Sequence, residues 1–161
     1  MAGVGNREGD RIELLLVCSS GGHLLQLVEL RGAWASRSRV WITHDSSDAR
    51  SLLAREEVVF AHAPTHRNVP NLLRNALLAW RLLRRLRPRV VVTTGAGVAV
   101  PFAWLGRLLG ARVVFVESLT RIDGPSLTLR LVRPVVDRAY VQWPEAARGR
   151  KLHYAGTLVP L

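Results

Sequence analysis

Cysteine is nearly absent from this 161-residue chain: Cys18 stands alone, so no internal disulfide can form. It ends an apolar run and reads as a buried, inert thiol. Acid is scarce as well. Twelve Asp and Glu oppose 23 Lys and Arg, nearly all Arg, for a formal charge of +11. A surface of that sign attracts phosphate, in nucleic acid, anionic lipid or a phosphorylated substrate. Aromatic residues make up 6% and form no stacking platform or recognised module, so nucleic acid is not an expected partner. His44, His62, His66 and His153 lack metal-ligand spacing, and neither a metal nor another cofactor is expected. No Ser-His-Asp set can be picked out from residue order.

Long hydrophobic runs are also missing. The longest uncharged stretch, Val90–Gly106, is interrupted by Thr93-Thr94-Gly95-Ala96-Gly97 and by Pro101, which suits a strand, a turn and a buried helix better than a membrane span. The polar, glycine-containing start has no signal-peptide core. A soluble or peripheral protein is the expectation.

What is present is alternation. Strands are expected at Ile12–Val17, Arg39–Thr43, Glu57–Ala61, Arg89–Thr94, Arg112–Glu117 and Arg138–Gln142, with an extended piece near His153–Ala155. Helices are expected at His23–Trp34, Ser47–Arg55, Asn71–Leu86, Val98–Leu109 and Pro125–Val136, with a polar loop at Pro64–Pro70. Strands that alternate with helices build a parallel sheet covered on both faces, an α/β Rossmann-like fold. With 48% hydrophobic residues and no internal linker, one domain is expected over 12–156, after a flexible 1–11 and before a short tail at 157–161.

Ligands of open parallel sheets bind beyond the carboxyl ends of the strands. Three loops there carry unusual residues. Ser19-Ser20-Gly21-Gly22-His23 lets backbone amides and a helix dipole meet an anion, although Gly-Gly also makes an ordinary tight turn. Thr94-Gly95-Ala96-Gly97 again joins a strand to a helix. It imitates part of a dinucleotide fingerprint, with Glu117 following at a strand end, but Val100 occupies the third glycine's place. In the third loop, Glu117 suits a base or a hydroxyl-orienting group, and Arg121 suits a phosphate clamp. The plainer alternative is a surface Glu–Arg pair with a helix cap at Asp123.

The Asn71–Leu86 segment has too much apolar surface for one sheet face. Arg74, Arg81 and Arg85 fall within about 40° of one another, and the apolar residues span an arc of roughly 200°. A sheet needs about 100° of that arc. Leu73, Leu77, Trp80, Arg81, Arg84 and Arg85 are therefore candidates for contact with an anionic membrane; burial between neighbouring helices is the alternative.

Taken in order, Ser19-Ser20-Gly21-Gly22-His23, Thr94-Gly95-Ala96-Gly97-Val98-Ala99-Val100-Pro101, Val116-Glu117-Ser118 and Val141-Gln142-Trp143-Pro144 resemble the PssD/CpsF family of bacterial polysaccharide-biosynthesis glycosyltransferase subunits. The set is also similar to the membrane-recruiting subunit of the eukaryotic transferase that adds the second GlcNAc to dolichol-linked oligosaccharide. The resemblance implies the N-terminal half of a GT-B glycosyltransferase, like the acceptor domain of MurG. It implies inverting transfer from a UDP-sugar to a polyprenyl-diphosphate-linked saccharide, with a PssE/CpsG-like partner holding the donor. By that likeness the two glycine turns face the acceptor diphosphate, and His23 or Glu117 is the base. A scaffold that only recruits the catalytic chain and an independent dinucleotide-binding protein remain as alternatives. Eukaryotic members start with a transmembrane helix. None is read here, so membrane contact is expected to rest on the arginine-bearing helix, at the cytoplasmic face of the cell membrane.

Overall fold

The computed structural model describes residues 11–65, 68–122, 124–149 and 151–158. The expected flexible start lies outside these residues apart from Arg11, as do His66, the cap position Asp123 and tail residues 159–161.

The chain runs β1 (Leu14–Val17), α1 (Gly22–Glu29), α2 (Arg31–Trp34), β2 (Arg39–His44), α3 (Ser47–Leu52), β3 (Val58–Ala61), α4 (Val69–Leu86), β4 (Val90–Thr93), α5 (Ala99–Leu108), β5 (Arg112–Val116), α6 (Leu127–Val132), β6 (Arg138–Val141), a short 3-10 turn (Pro144–Ala146) and β7 (Leu152–Tyr154). The strands form one parallel sheet in the order β3-β2-β1-β4-β5-β6-β7. Apolar residues on both strand faces give each side its own core. On one side Leu15, Val17, Ile42 and Val91 pack against Leu83 of α4 and Phe102 of α5, while Phe115 packs with Leu129 and Val132 of α6. On the other, Leu14, Leu16 and Trp41 pack against Leu24 and Leu27 of α1, Trp34 of α2 and Ala49 of α3.

Four expectations change. The single helix from His23 to Trp34 is two, because the backbone at Leu30 leaves helical geometry (φ −74°, ψ 20°). Pro70 lies inside α4 rather than in the preceding loop, in the first turn where a missing N–H costs nothing, behind an Asn68 side chain that caps Asn71. The Pro125–Val136 helix contracts to Leu127–Val132, capped by the Ser126 hydroxyl. The extended piece near His153 is a full seventh strand, paired residue for residue with β6.

Candidate active site

Because β1, β4 and β5 are neighbours and parallel, the loops that follow them share one rim. The Thr94 hydroxyl donates to the His23 carbonyl at 2.8 Å, joining the first loop to the second. Gln26, one turn along α1, reaches the third: its Nε2 donates to Ser118 Oγ at 3.4 Å and its Oε1 accepts from the Leu119 amide at 3.2 Å. The three loops singled out by sequence therefore meet around the first turns of α1.

His23 sits at their centre. Burial, the largest cause, pushes its pKa below the ordinary histidine value, and the Arg121 charge adds to that; the Thr94 backbone and Glu117 pull the other way. Its Nδ1 is buried without a hydrogen-bond partner among the described residues. The ring lies directly beneath Gly95, where an added Cβ would stand 3.4 Å from His23 Cε1 and 3.3 Å from Phe115 Cζ. Gly95 also holds φ at 111°, a region that a side chain disfavours. Its glycine character is thus tied to seating the histidine.

Gly97 is explained differently. A Cβ there would lie 3.0–3.1 Å from Thr65, so the β3–α4 loop covers this face of the turn. That contact accounts for Gly97 by packing within the protein. Ala96 between the two glycines takes a positive φ of 72° and is half-buried, as is Gly97.

At the first turn, Ser19 and Ser20 are half-buried, and Gly21 and Gly22 are exposed. No side chain caps α1, so its first-turn amides lack intrahelical partners and make an anion-attracting end. The Gly21 amide is already committed: it donates to Asp48 Oδ2 at 2.7 Å. The Ser46 hydroxyl, then the Gly21 amide, hold the Asp48 pKa below the usual carboxylate range. Of the two glycine amides expected to cradle a phosphate, Gly21 is therefore held by the protein, which leaves Gly22 and the amides after it.

Glu117 is 2% exposed. Its Oε1 accepts from the Ser118 amide at 3.0 Å and its Oε2 from the Ser126 amide at 2.8 Å. The Gln142 amide group donates to the Glu117 carbonyl at 3.3 Å, and Trp143 Nε1 donates to Leu119 O at 2.8 Å. A carboxylate bonded this way organises the loop and the start of α6. Arg121 stands exposed at the outer edge of the same loop.

Sequence reasoning missed Gln26, Asp48 and the bonding roles of Gln142 and Trp143. Gln26 and Asp48 left a signal, since Gln26 follows His23 by one helical turn and Asp48 lies just past the carboxyl end of β2. Among the described residues no group of three His, Cys, Asp or Glu is placed to hold a metal ion.

Along α4 the buried stripe is Asn71, Asn75, Ala79, Leu83 and Leu86. Asn75 brackets His62, accepting from its amide at 2.8 Å and donating to its carbonyl at 2.9 Å, while Asn71 donates to Pro64 O at 2.9 Å. These two asparagines turn the leucines outward. Leu73 is 66% exposed, Leu77 50% and Trp80 37%. Arg81, Arg84 and Arg85 are exposed beside them, with the Arg84 guanidinium 5.3 Å from the Trp80 ring centre. No helix among the described residues is long and apolar enough to cross a membrane.

Comparison with known proteins gives consistent matches. The family described as oligosaccharide biosynthesis protein Alg14 like matches residues 14–158. The UDP-N-acetylglucosamine transferase subunit ALG14 of Eremothecium gossypii is 32% identical over 191 residues, covering 96% of this chain and 84% of that protein. The protein of the same name from Mus musculus is 26% identical over 167 residues, covering 84% and 77%. Among solved structures, MurG of Acinetobacter baumannii superposes with a TM-score of 0.73 at 16% identity, covering 92% of this chain and 47% of that one. UDP-N-acetylglucosamine 2-epimerase of Rickettsia bellii gives 0.71 at 9%, covering 92% and 46%. The chain thus spans about half the length of these two structures, and the likeness is one of fold: a Rossmann-like half of a GT-B architecture.

Proposed function

The chain belongs to the family of Alg14-like oligosaccharide biosynthesis proteins, and from that membership we propose that it is the acceptor-binding subunit of a two-component inverting glycosyltransferase. The donor is a UDP-sugar, UDP-N-acetylglucosamine by the names its relatives carry. The acceptor is a saccharide on a polyprenyl diphosphate at the cytoplasmic membrane surface. A second chain, of the PssE/CpsG-like kind that partners PssD/CpsF subunits, brings the nucleotide sugar. Since this chain corresponds to about half of a GT-B enzyme, the cleft closes only when the partner docks.

The observation that carries this reading is the convergence of three strand-end loops on His23. The acceptor diphosphate rests on the free amides at the start of α1, with Arg121 at the rim. His23 is kept neutral by burial and takes the proton of the acceptor hydroxyl once its ring turns out from beneath Gly95. Glu117 positions the third loop. The partner contact includes the C-terminal tail, whose Leu158 amide donates to Gln142 Oε1 at 2.9 Å and so ties it to the same network.

Replacing His23 by Asn in the assembled two-chain complex tests the assignment. A general base contributes typically about 10²–10⁴-fold, so kcat should fall by at least about 100-fold while acceptor binding persists. Unchanged turnover would favour the scaffold reading, which already draws support from Glu117, whose oxygens are both engaged by backbone amides.

A further inference from the structure

At the opposite end of the sheet, where α4 and α5 finish, lies a cavity of about 420 Å³ lined by Arg11, Arg84, Arg87, Leu83, Pro88 and Leu109, among others. Its volume is within the range of about 300–1,000 Å³ typical of small-ligand sites. None of its lining residues is Asp or Glu, and the chain carries no acid at all from Val58 to Val116.

Arg87 is the informative residue. It ends α4 in the left-handed region (φ 45°, ψ 54°), its amide donating to Leu83 O. Glycine is the residue favoured at such a position, because a Cβ is strained there. The following Pro88 pushes its predecessor toward extended backbone, which adds to the mismatch. An arginine with a strained backbone stands where glycine would fit better, and it lines a cavity. Arg11 is fixed by its Nε, which donates to the Arg87 carbonyl at 2.9 Å and leaves its terminal nitrogens available. Arg84 is steadied by its stack on Trp80.

We propose that this cavity is a binding site for a phosphate-bearing amphiphile. The three guanidinium groups hold the phosphate, and Leu83, Pro88 and Leu109 receive the first carbons beyond it. The site is separate from the rim around His23 and stands or falls independently of the function proposed there.

Arg87→Gly provides a test, because it removes the guanidinium and restores the favoured residue. Thermal shift and titration calorimetry on the full chain would use monomeric dihexanoyl phosphatidylglycerol, dihexanoyl phosphatidylcholine and inorganic phosphate. The expected result is saturable binding of phosphatidylglycerol that weakens at least tenfold in Arg87→Gly and in Arg11→Gln, with the melting temperature of unliganded Arg87→Gly equal to or above that of the parent. Equal binding of inorganic phosphate would overturn the amphiphile and leave a site for a free anion. Leu77→Glu, on the exposed face of α4, should leave this binding intact. Absence of saturable binding by any of the three probes would overturn the proposal. So would binding unchanged in Arg87→Gly, particularly with a lowered melting temperature, which would make Arg87 a cap for the α4 carbonyls.

Discussion

Thr94 donates its hydroxyl proton to the backbone carbonyl of His23, 71 positions earlier, across 2.8 Å. That bond makes the two glycine turns one structure, since the residue before Gly95 holds the residue after Gly22. Thr94→Val keeps the side-chain shape and removes the donor. The His23 carbonyl keeps its place in the α1 ladder, so the loss is that of one hydrogen bond, about 0.5–1.5 kcal/mol by urea denaturation. Turnover of the assembled complex should fall as well, because the His23 backbone is no longer anchored. Thr94→Ser should recover most of both.

The glycines of the second turn make a sharper prediction. At Gly97 a methyl group meets Thr65 at 3.0–3.1 Å, and overpacking of that kind costs about 1–3 kcal/mol. Gly97→Ala should be destabilised by that amount, and the cost should be smaller in a Thr65→Gly background, which removes the Cβ and Oγ1 that the methyl group meets. Gly95→Ala should cost more, since it adds a left-handed backbone to the contacts with Phe115 and His23. Denaturation midpoints of these variants check the order.

The alternation of strands and helices was plain in the sequence because a buried parallel strand is a short apolar run and each strand here is followed within three residues by Gly, Ser or Pro. What escaped was decided by side chains acting across the fold. The place of Gln26 one turn after His23 was legible, but not the loop it reaches, and nothing local distinguishes Asn71 and Asn75 as the buried side of a leucine-rich helix. The asparagines bury because the β3–α4 loop supplies two carbonyls and an amide to satisfy them. The glycines at 95 and 97 were visible, but their roles were not: one seats a histidine and the other admits a loop from 32 residues earlier in the chain.

His23 and His44 both have pKa values pushed below the ordinary 6.5, His23 chiefly and His44 wholly through burial. A histidine whose folded pKa is depressed binds fewer protons folded than unfolded, so stability rises with pH in the window between the two values. The fold should therefore lose stability as pH drops below about 6.5, and the loss should level off once the folded pKa values are passed. His44→Gln should flatten part of that slope. Denaturation midpoints from pH 7.5 to 4.5 give the slope, and NMR titration of the His23 ring should place its midpoint below 6.5.

Glu117 separates organisation from chemistry. Both of its oxygens accept backbone amides, so in Glu117→Gln one amide N–H must face an NH₂ group. The expected cost is about 1–3 kcal/mol, with turnover lost in proportion to loop order. A fall in kcat beyond about 100-fold at unchanged stability would instead make Glu117 the base.

The exposed face of α4 predicts how the chain meets a membrane. Its core stripe of Asn71, Asn75, Ala79, Leu83 and Leu86 leaves Leu73, Leu77 and Trp80 outside with Arg81, Arg84 and Arg85. Substitutions on this outer face should therefore spare folding. A basic residue near an anionic bilayer contributes about 1 kcal/mol, so reversing Arg81, Arg84 and Arg85 to Glu should weaken partitioning onto phosphatidylglycerol vesicles by at least about 100-fold. Neutral vesicles should barely register the change, and raised salt should mimic it, since screening acts on the charges and not on the leucines. Leu73→Asp with Leu77→Asp should weaken binding to both kinds of vesicle. Sedimentation with vesicles of each composition distinguishes the two contributions, and equal binding by all variants would remove α4 as the docking face.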